Sequence, residues 1–279
     1  MKMKTVWFIT ILLVVATIFI NMSLGNKEKS EFKPLELNVG DEFNEIEYQN
    51  QMYVINYKIG DVTGDSENDM IILIGEKDEK NEMKSNKVDV VIYDTASQTF
   101  TKAGLKNFSG QNSKILLNDL TGDEKMEVII ILENDDKTKN IRVVEVREDT
   151  LKDIWGQRDN RGIIFVGEII DGVKAHLRCG KVAKELYLDL ADKKSDYIAS
   201  KKIDESGKII CENKKVTTTG FTSVEIVKLS DKSGIQTTQR ICAFEDNDIL
   251  DEVTVIWRFE NGKWKMAEAE GVRVGNLIY

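Results

Sequence analysis

The 279-residue sequence predicts an all-β protein. Short runs rich in Val, Ile, Tyr and Phe recur every ten or so residues between Gly, Asn, Asp and Ser, the pattern of many short strands. No sustained 3.6-residue period follows residue 25, apart from about one turn near Val182 to Leu190. A fifteen-residue segment also repeats within the chain, carrying its neighbouring strand pattern with it.

In chain order, Met1 to Lys4 hold two lysines, Val6 to Ile20 run VWFITILLVVATIFI without a charge, and Asn21 to Gly25 turn polar. A basic start, an apolar stretch and a small-residue exit are the parts of an export signal, with Ser23 and Gly25 before the cut. The alternative is an uncleaved anchor: Val6 to Leu24 would make about 28 Å of helix against a hydrocarbon layer of ~30 Å. Residues 1–25 are thus expected to form an N-terminal hydrophobic helix, either signal peptide or membrane anchor. Both readings place the rest of the chain at the extracellular face of the membrane or in the medium. Membrane contact would come only through residues 6–24, and only if they are retained. No cysteine lies near residue 25, which excludes a lipid-modified cysteine there.

Residues 26–45 are polar, hold the single proline, Pro34, and read as a tether. From residue 46 to 279 the strand pattern takes over: MIILIG from Met70, VDVVIYD from Val88, VIIILE from Val128, IRVVEVR from Ile141, then Ile163 to Ile170 and Val253 to Phe259. Asn261-Gly262 supplies the two positive-φ residues of a type I′ hairpin, which pairs Phe259 with Trp264 and Trp257 with Met266 as core. Asp171-Gly172 similarly joins a strand to VKAHLRC, which carries His176.

The repeat holds the candidate chemistry. Gly60 to Ile74 reads GDVTGDSENDMIILI and Asn118 to Leu132 reads NDLTGDEKMEVIIIL. Each motif sits between strands that would make a four-stranded antiparallel unit, and such units stacked side by side are the blades of a propeller. The expected architecture is therefore an array of such blades, with open blade number. Oxygen-bearing side chains at Asp61, Thr63, Asp65 and Asp69, and again at Asp119, Thr121, Asp123 and Glu127, can converge if the chain curls tightly at Gly64 or Gly122. Calcium takes six to eight oxygens in flexible geometry, so both loops are candidate metal sites. The bland alternative is an acidic turn whose carboxylates cap backbone amides.

At these residues the sequence resembles the FG-GAP or VCBS repeat family, whose D-x-[DN]-x-D-G loops bind calcium in the propeller of integrin α chains. It looks most like divergent exported VCBS-repeat proteins of Gram-positive bacteria, over about residues 46 to 268. The resemblance implies a propeller-like fold, calcium as cofactor and a binding role. Thr63 and Thr121 depart from the family by removing a charged ligand from each loop. Ser66 and Glu124 stand where the family has glycine, so a left-handed backbone is harder to reach there. The segment where a third loop is expected, Val224 to Gln239, keeps only Asp231 as an acid beyond its opening strand.

Composition excludes several functions. The chain carries 39 basic and 48 acidic residues, and removing residues 1–25 takes two lysines and no acid, so the exported part is the more acidic. With no basic cluster, nucleic acid is not an expected partner. One histidine cannot build a multi-His zinc site, and Cys179, Cys211 and Cys242 are too far apart for a CxxC pair; they read as free buried thiols, with a Cys211–Cys242 or Cys179–Cys211 disulfide as the alternative in an exported protein. No GxSxG, HExxH, P-loop or GxGxxG occurs. The reading is an exported, non-catalytic binding or scaffolding module at the cell envelope, with a protein or glycan partner. A carboxylate-based extracellular hydrolase and a structural accessory domain without metal are the alternatives.

Overall fold

The computed structural model describes residues 35–78, 84–147 and 150–277, and the expected signal or anchor lies outside them. Among the described residues no helix is long and apolar enough to cross a membrane. The protein is all-β, as the alternating and continuous apolar runs require.

Two four-stranded antiparallel units come first. β1 (Tyr53–Gly60), β2 (Asp69–Lys77), β3 (Ser85–Asp94) and β4 (Thr99–Gly104) form a sheet in sequence order. β5 (Gln111–Asn118), β6 (Glu127–Glu133), β7 (Lys139–Arg147) and β8 (Thr150–Asp153) repeat that meander. The central strands read MIILIG and VIIILE because both of their faces are covered. Ile71, Leu73, Val88, Val90 and Ile92 of the first sheet meet Val128, Ile130, Leu132 and Val144 of the second. The other face of the second sheet, with Ile129, Ile131, Ile141 and Val143, belongs to the larger core. Arg142, 1% exposed, donates to the carbonyls of Ile141 and Lys106 and lies over the Phe108 ring, which ties β7 to the segment after β4.

The remaining strands do not form further blades. β9 (Phe165–Ile170), β10 (Lys174–Cys179), β11 (Lys184–Asp189), β12 (Lys215–Lys228), β13 (Ser233–Ala243), β14 (Ile249–Glu260), β15 (Lys263–Gly271) and β16 (Gly275–Asn276) make one sheet in the order β11-β10-β9-β12-β13-β14-β15-β16. This corrects the expected propeller. A ring of blades needs separate four-stranded sheets, whereas the 14-residue β12 pairs with β13 along most of its length, with β9 through Lys215 and Val216, and with β7 at Phe221. Gly220 permits the last contact, since a Cβ there would lie 3.0 Å from the Thr138 side chain. The expected third loop is instead the β12–β13 turn, and Asp231 pairs with Arg258 at 2.7 Å.

Other expectations are sharpened. Residues 38–45 are not free tether: Gly40 and Phe43 donate to the Val54 and Met52 carbonyls, and Phe43 is 3% exposed. The helical turn expected near Val182 to Leu190 is the strand β11, and the short helix α1 is Lys194–Ala199. The Asn261-Gly262 hairpin forms as expected, with φ of 51° and 76° and Phe259 opposite Trp264. The β9–β10 loop has three residues, Asp171, Gly172 and Val173, because Ile170 pairs with Lys174. Trp257 is buried and its Nε1 donates to Thr237 Oγ1 at 2.9 Å, while Trp264 packs on Trp155 with ring centroids 4.8 Å apart. Gln239 accepts from the Ile163 amide and donates to the Arg161 and Thr219 carbonyls, which fixes the chain where it enters β9. Cys179, Cys211 and Cys242 are unpaired.

Candidate functional site

The two repeated turns have one geometry. In the first, Asp61 accepts from the Gly64 and Ser66 amides at 2.7 and 2.9 Å, Asp65 accepts from Glu67, and Asp69 Oδ2 accepts from Val62 and Thr63 at 2.9 and 3.1 Å. In the second, Asp119 accepts from Gly122 and Glu124 at 2.6 and 3.1 Å, Asp123 from Lys125, and Glu127 Oε2 from Leu120 and Thr121 at 2.7 and 3.1 Å. The carboxylates thus fold the turn by capping its amides. Ser66 at φ 72° and Glu124 at φ 69° do adopt the left-handed backbone that a glycine would take more cheaply. Their amides are held there by Asp61 and Asp119.

Asp69 and Glu127 are 0% and 1% exposed, and burial raises the pKa of both, that of Glu127 to about 7, against the lowering effect of the amide bonds. Thr121 Oγ1 donates to Glu127 Oε1 at 3.2 Å, whereas Asp69 Oδ1 and Thr63 Oγ1 fall short of hydrogen-bond geometry, although the Thr63 hydroxyl is near enough to draw the Asp69 pKa down. Among the described residues no three His, Cys, Asp or Glu side chains gather as a metal cluster. The eight residues expected as ligands are therefore brought into two turns, each curled as anticipated, with most of their oxygens already accepting amide hydrogens.

A second arrangement was not anticipated. On the outer face of β9–β11 and the start of β12, strand register aligns Lys215 with Glu168, Glu168 with His176, and His176 with Tyr187. The adjacent row sets Val166 against Arg178 and Arg178 against Glu185. The His176 and Tyr187 rings stack at 4.5 Å with an interplanar angle of 6°. Tyr187 is 65% exposed and Val166 56%. A cleft of about 620 Å³ lies between His176 and the segment Glu212 to Lys215.

The polar groups of this cleft are partly engaged. Lys214 pairs with Glu168 at 2.7 Å and holds its carboxyl below the usual range. Arg178 Nε meets Glu185 at 3.1 Å. His176 Nε2 is buried without a hydrogen bond, 3.6 Å from Glu185 Oε2. Glu212 and Lys215 form no ion pair among the described residues. The sequence offered one signal for this face: alternation in KAHLRC and KELYLD puts His176 with Arg178 and Glu185 with Tyr187 on one side. Which strands lie beside them was not readable.

Residues 164–272 match the family model described as the YybI C-terminal domain, a span that begins just before β9 and contains the cleft. This corrects the resemblance drawn from the repeated turns: the family that matches is neither FG-GAP nor VCBS. No curated protein matches the chain. Among solved structures, an exotype rhamnogalacturonan lyase, YesX, is similar with a TM-score of 0.33 and 14% identity over 80% of this chain and 34% of its own. A Bacillus licheniformis rhamnogalacturonan lyase gives a TM-score of 0.35 and 14% identity over 85% and 37%. The chain spans about a third of the length of each. Likenesses at this level carry no argument about activity.

Proposed function

We propose that this protein is an exported binding module of the cell envelope whose recognition surface is the outer face of β9–β11. One observation carries the reading: an exposed sheet face places an aromatic stack, an apolar residue and charged groups with unused hydrogen-bonding capacity around a cleft. Tyr and Arg are the residue types that dominate recognition energetics when such a surface is covered. The repeated turns have a supporting role, closing β1 onto β2 and β5 onto β6 so that the two four-stranded sheets can pack. The test is retention of the full chain on isolated cell-envelope fragments. Retention is expected to fall about tenfold in the double variant Tyr187→Ala, Arg178→Ala. Equal retention of parent and variant would remove the β9–β11 face from the function.

A calcium role is a second reading for the first turn alone, because Asp69 Oδ1 and Thr63 Oγ1 make no hydrogen bond of good geometry. Weak extracellular-type binding would raise the melting temperature by about 2 °C at ~5 mM calcium, with the rise lost in Asp65→Ala. No rise in the parent protein would leave the turns as amide-capped structure only.

A further inference from the structure

We infer that the cleft beside His176 takes a neutral, polyhydroxylated ring, a saccharide unit without a charged substituent. This inference rests on the binding-module reading and narrows it to one ligand chemistry. The first argument is charge. Of the charged groups lining the cleft, Arg178 is paired with Glu185 beside it and Lys214 with Glu168, which leaves Lys215 and Glu212, one of each sign, without an ion pair among the described residues, although the chain as a whole has 48 acids against 39 bases. An ionic ligand would gain little net attraction from such a set, since each added charge meets both signs at similar range. A hydroxyl group, by contrast, both donates and accepts, and adjacent hydroxyls can bridge a carboxylate and an ammonium together.

The second argument is shape. The His176 ring stands as a flat wall, backed by Tyr187 in a face-to-face stack, so the wall resists being pushed aside. A flat π surface beside polar groups suits a ligand with an apolar face of C–H bonds and a rim of hydroxyls. The volume of about 620 Å³ accommodates one or two such rings. The third argument is unused bonding capacity. Only Nε of Arg178 is engaged in the Glu185 pair, and Lys215 and Glu212 have no ion pair among the described residues. Asn213 takes no part, because its side chain already holds the Phe244 carbonyl and the Lys215 amide.

The experiment is calorimetric titration of the full chain, in a detergent free of sugar, with laminarihexaose, cellohexaose and chitohexaose as neutral probes and polygalacturonate as an anionic one. At least one neutral hexasaccharide is expected to bind. Tyr187→Ala should weaken that binding about tenfold, while Tyr187→Phe, which keeps the stacked wall, should leave it within about twofold. Raising salt from about 0.05 to 0.5 M should change the neutral affinity by less than about twofold. Tyr187 is largely exposed, so loss of folding would not explain the effect. Binding of polygalacturonate alone, with about tenfold loss in high salt and sensitivity to Tyr187→Ala, would overturn the neutral class and leave the β9–β11 face as the binding surface. No heat from any probe, together with envelope retention that ignores the double variant, would overturn both.

Discussion

The two DxTGD turns differ by one methylene at the position that matters most. Asp69 and Glu127 each enter from the first residue of a central strand, and each takes two amide hydrogens with one oxygen. The longer Glu127 then brings its second oxygen to the Thr121 hydroxyl, and the shorter Asp69 leaves its second oxygen and the Thr63 hydroxyl short of a full hydrogen bond. The turn therefore requires an acid that reaches two amides and tolerates either length. What varies is how completely the buried polar atoms are satisfied, and that sets the energetic difference between the repeats.

Removing the anchor tests the shared part. Asp69→Ala and Glu127→Ala should each destabilise by about 3 kcal/mol, because two buried amides lose their acceptor. In a denaturant titration, a cost below about 1 kcal/mol for either would show that its turn is held by something other than the carboxylate.

Protonation tests the second turn. The folded-state pKa of Glu127 is raised to about 7 from an ordinary 4.5, so the native protein holds this proton more tightly than the unfolded chain. Its contribution is fully present below about pH 4.5 and is lost as pH rises through about 7. Glu127→Gln, which keeps an oxygen for the two amides, should flatten that dependence. It should match the parent near pH 5 and exceed it at pH 8 by on the order of 2 kcal/mol. Parallel stability curves from pH 5 to 8 would contradict a raised Glu127.

The hydroxyls test the methylene itself. Thr121→Val removes a bonded hydroxyl and should cost about 1 kcal/mol, whereas Thr63→Val removes one that falls short of hydrogen-bond geometry and should cost less than about 0.5 kcal/mol. Equal effects in thermal melts would erase the distinction between the turns. The smallest expected change is shared: Ser66→Gly and Glu124→Gly relieve a left-handed backbone and should each stabilise by about 0.5 kcal/mol.

Much of the first half of the molecule is legible in its residues alone. The repeat marks two copies of one four-stranded unit, since turn residues and apolar runs recur in the same order and within each unit every strand pairs with its neighbour in sequence. The hairpin at Asn261-Gly262 is legible for the same reason. The β9–β10 loop is one residue longer than expected, because Val173 is buried and also adopts positive φ. His176 shows the limit. As an isolated strand histidine it reads as structural or surface, and nothing in its neighbours along the chain indicates Tyr187 stacked on one side and Glu168 across the other.

Residue order suffices for the all-β class, the place of the two repeated turns and the faces of individual strands, because these follow from backbone geometry over a few residues. Only folding in three dimensions joins β9 to β16 into one sheet and sets Lys215, Glu168, His176 and Tyr187 in a row. A strand's pattern specifies which side chains share its face, but not which strand lies alongside. That choice rests on long-range packing around Trp155, Phe221 and Trp257, where the contacts link residues far apart in the chain.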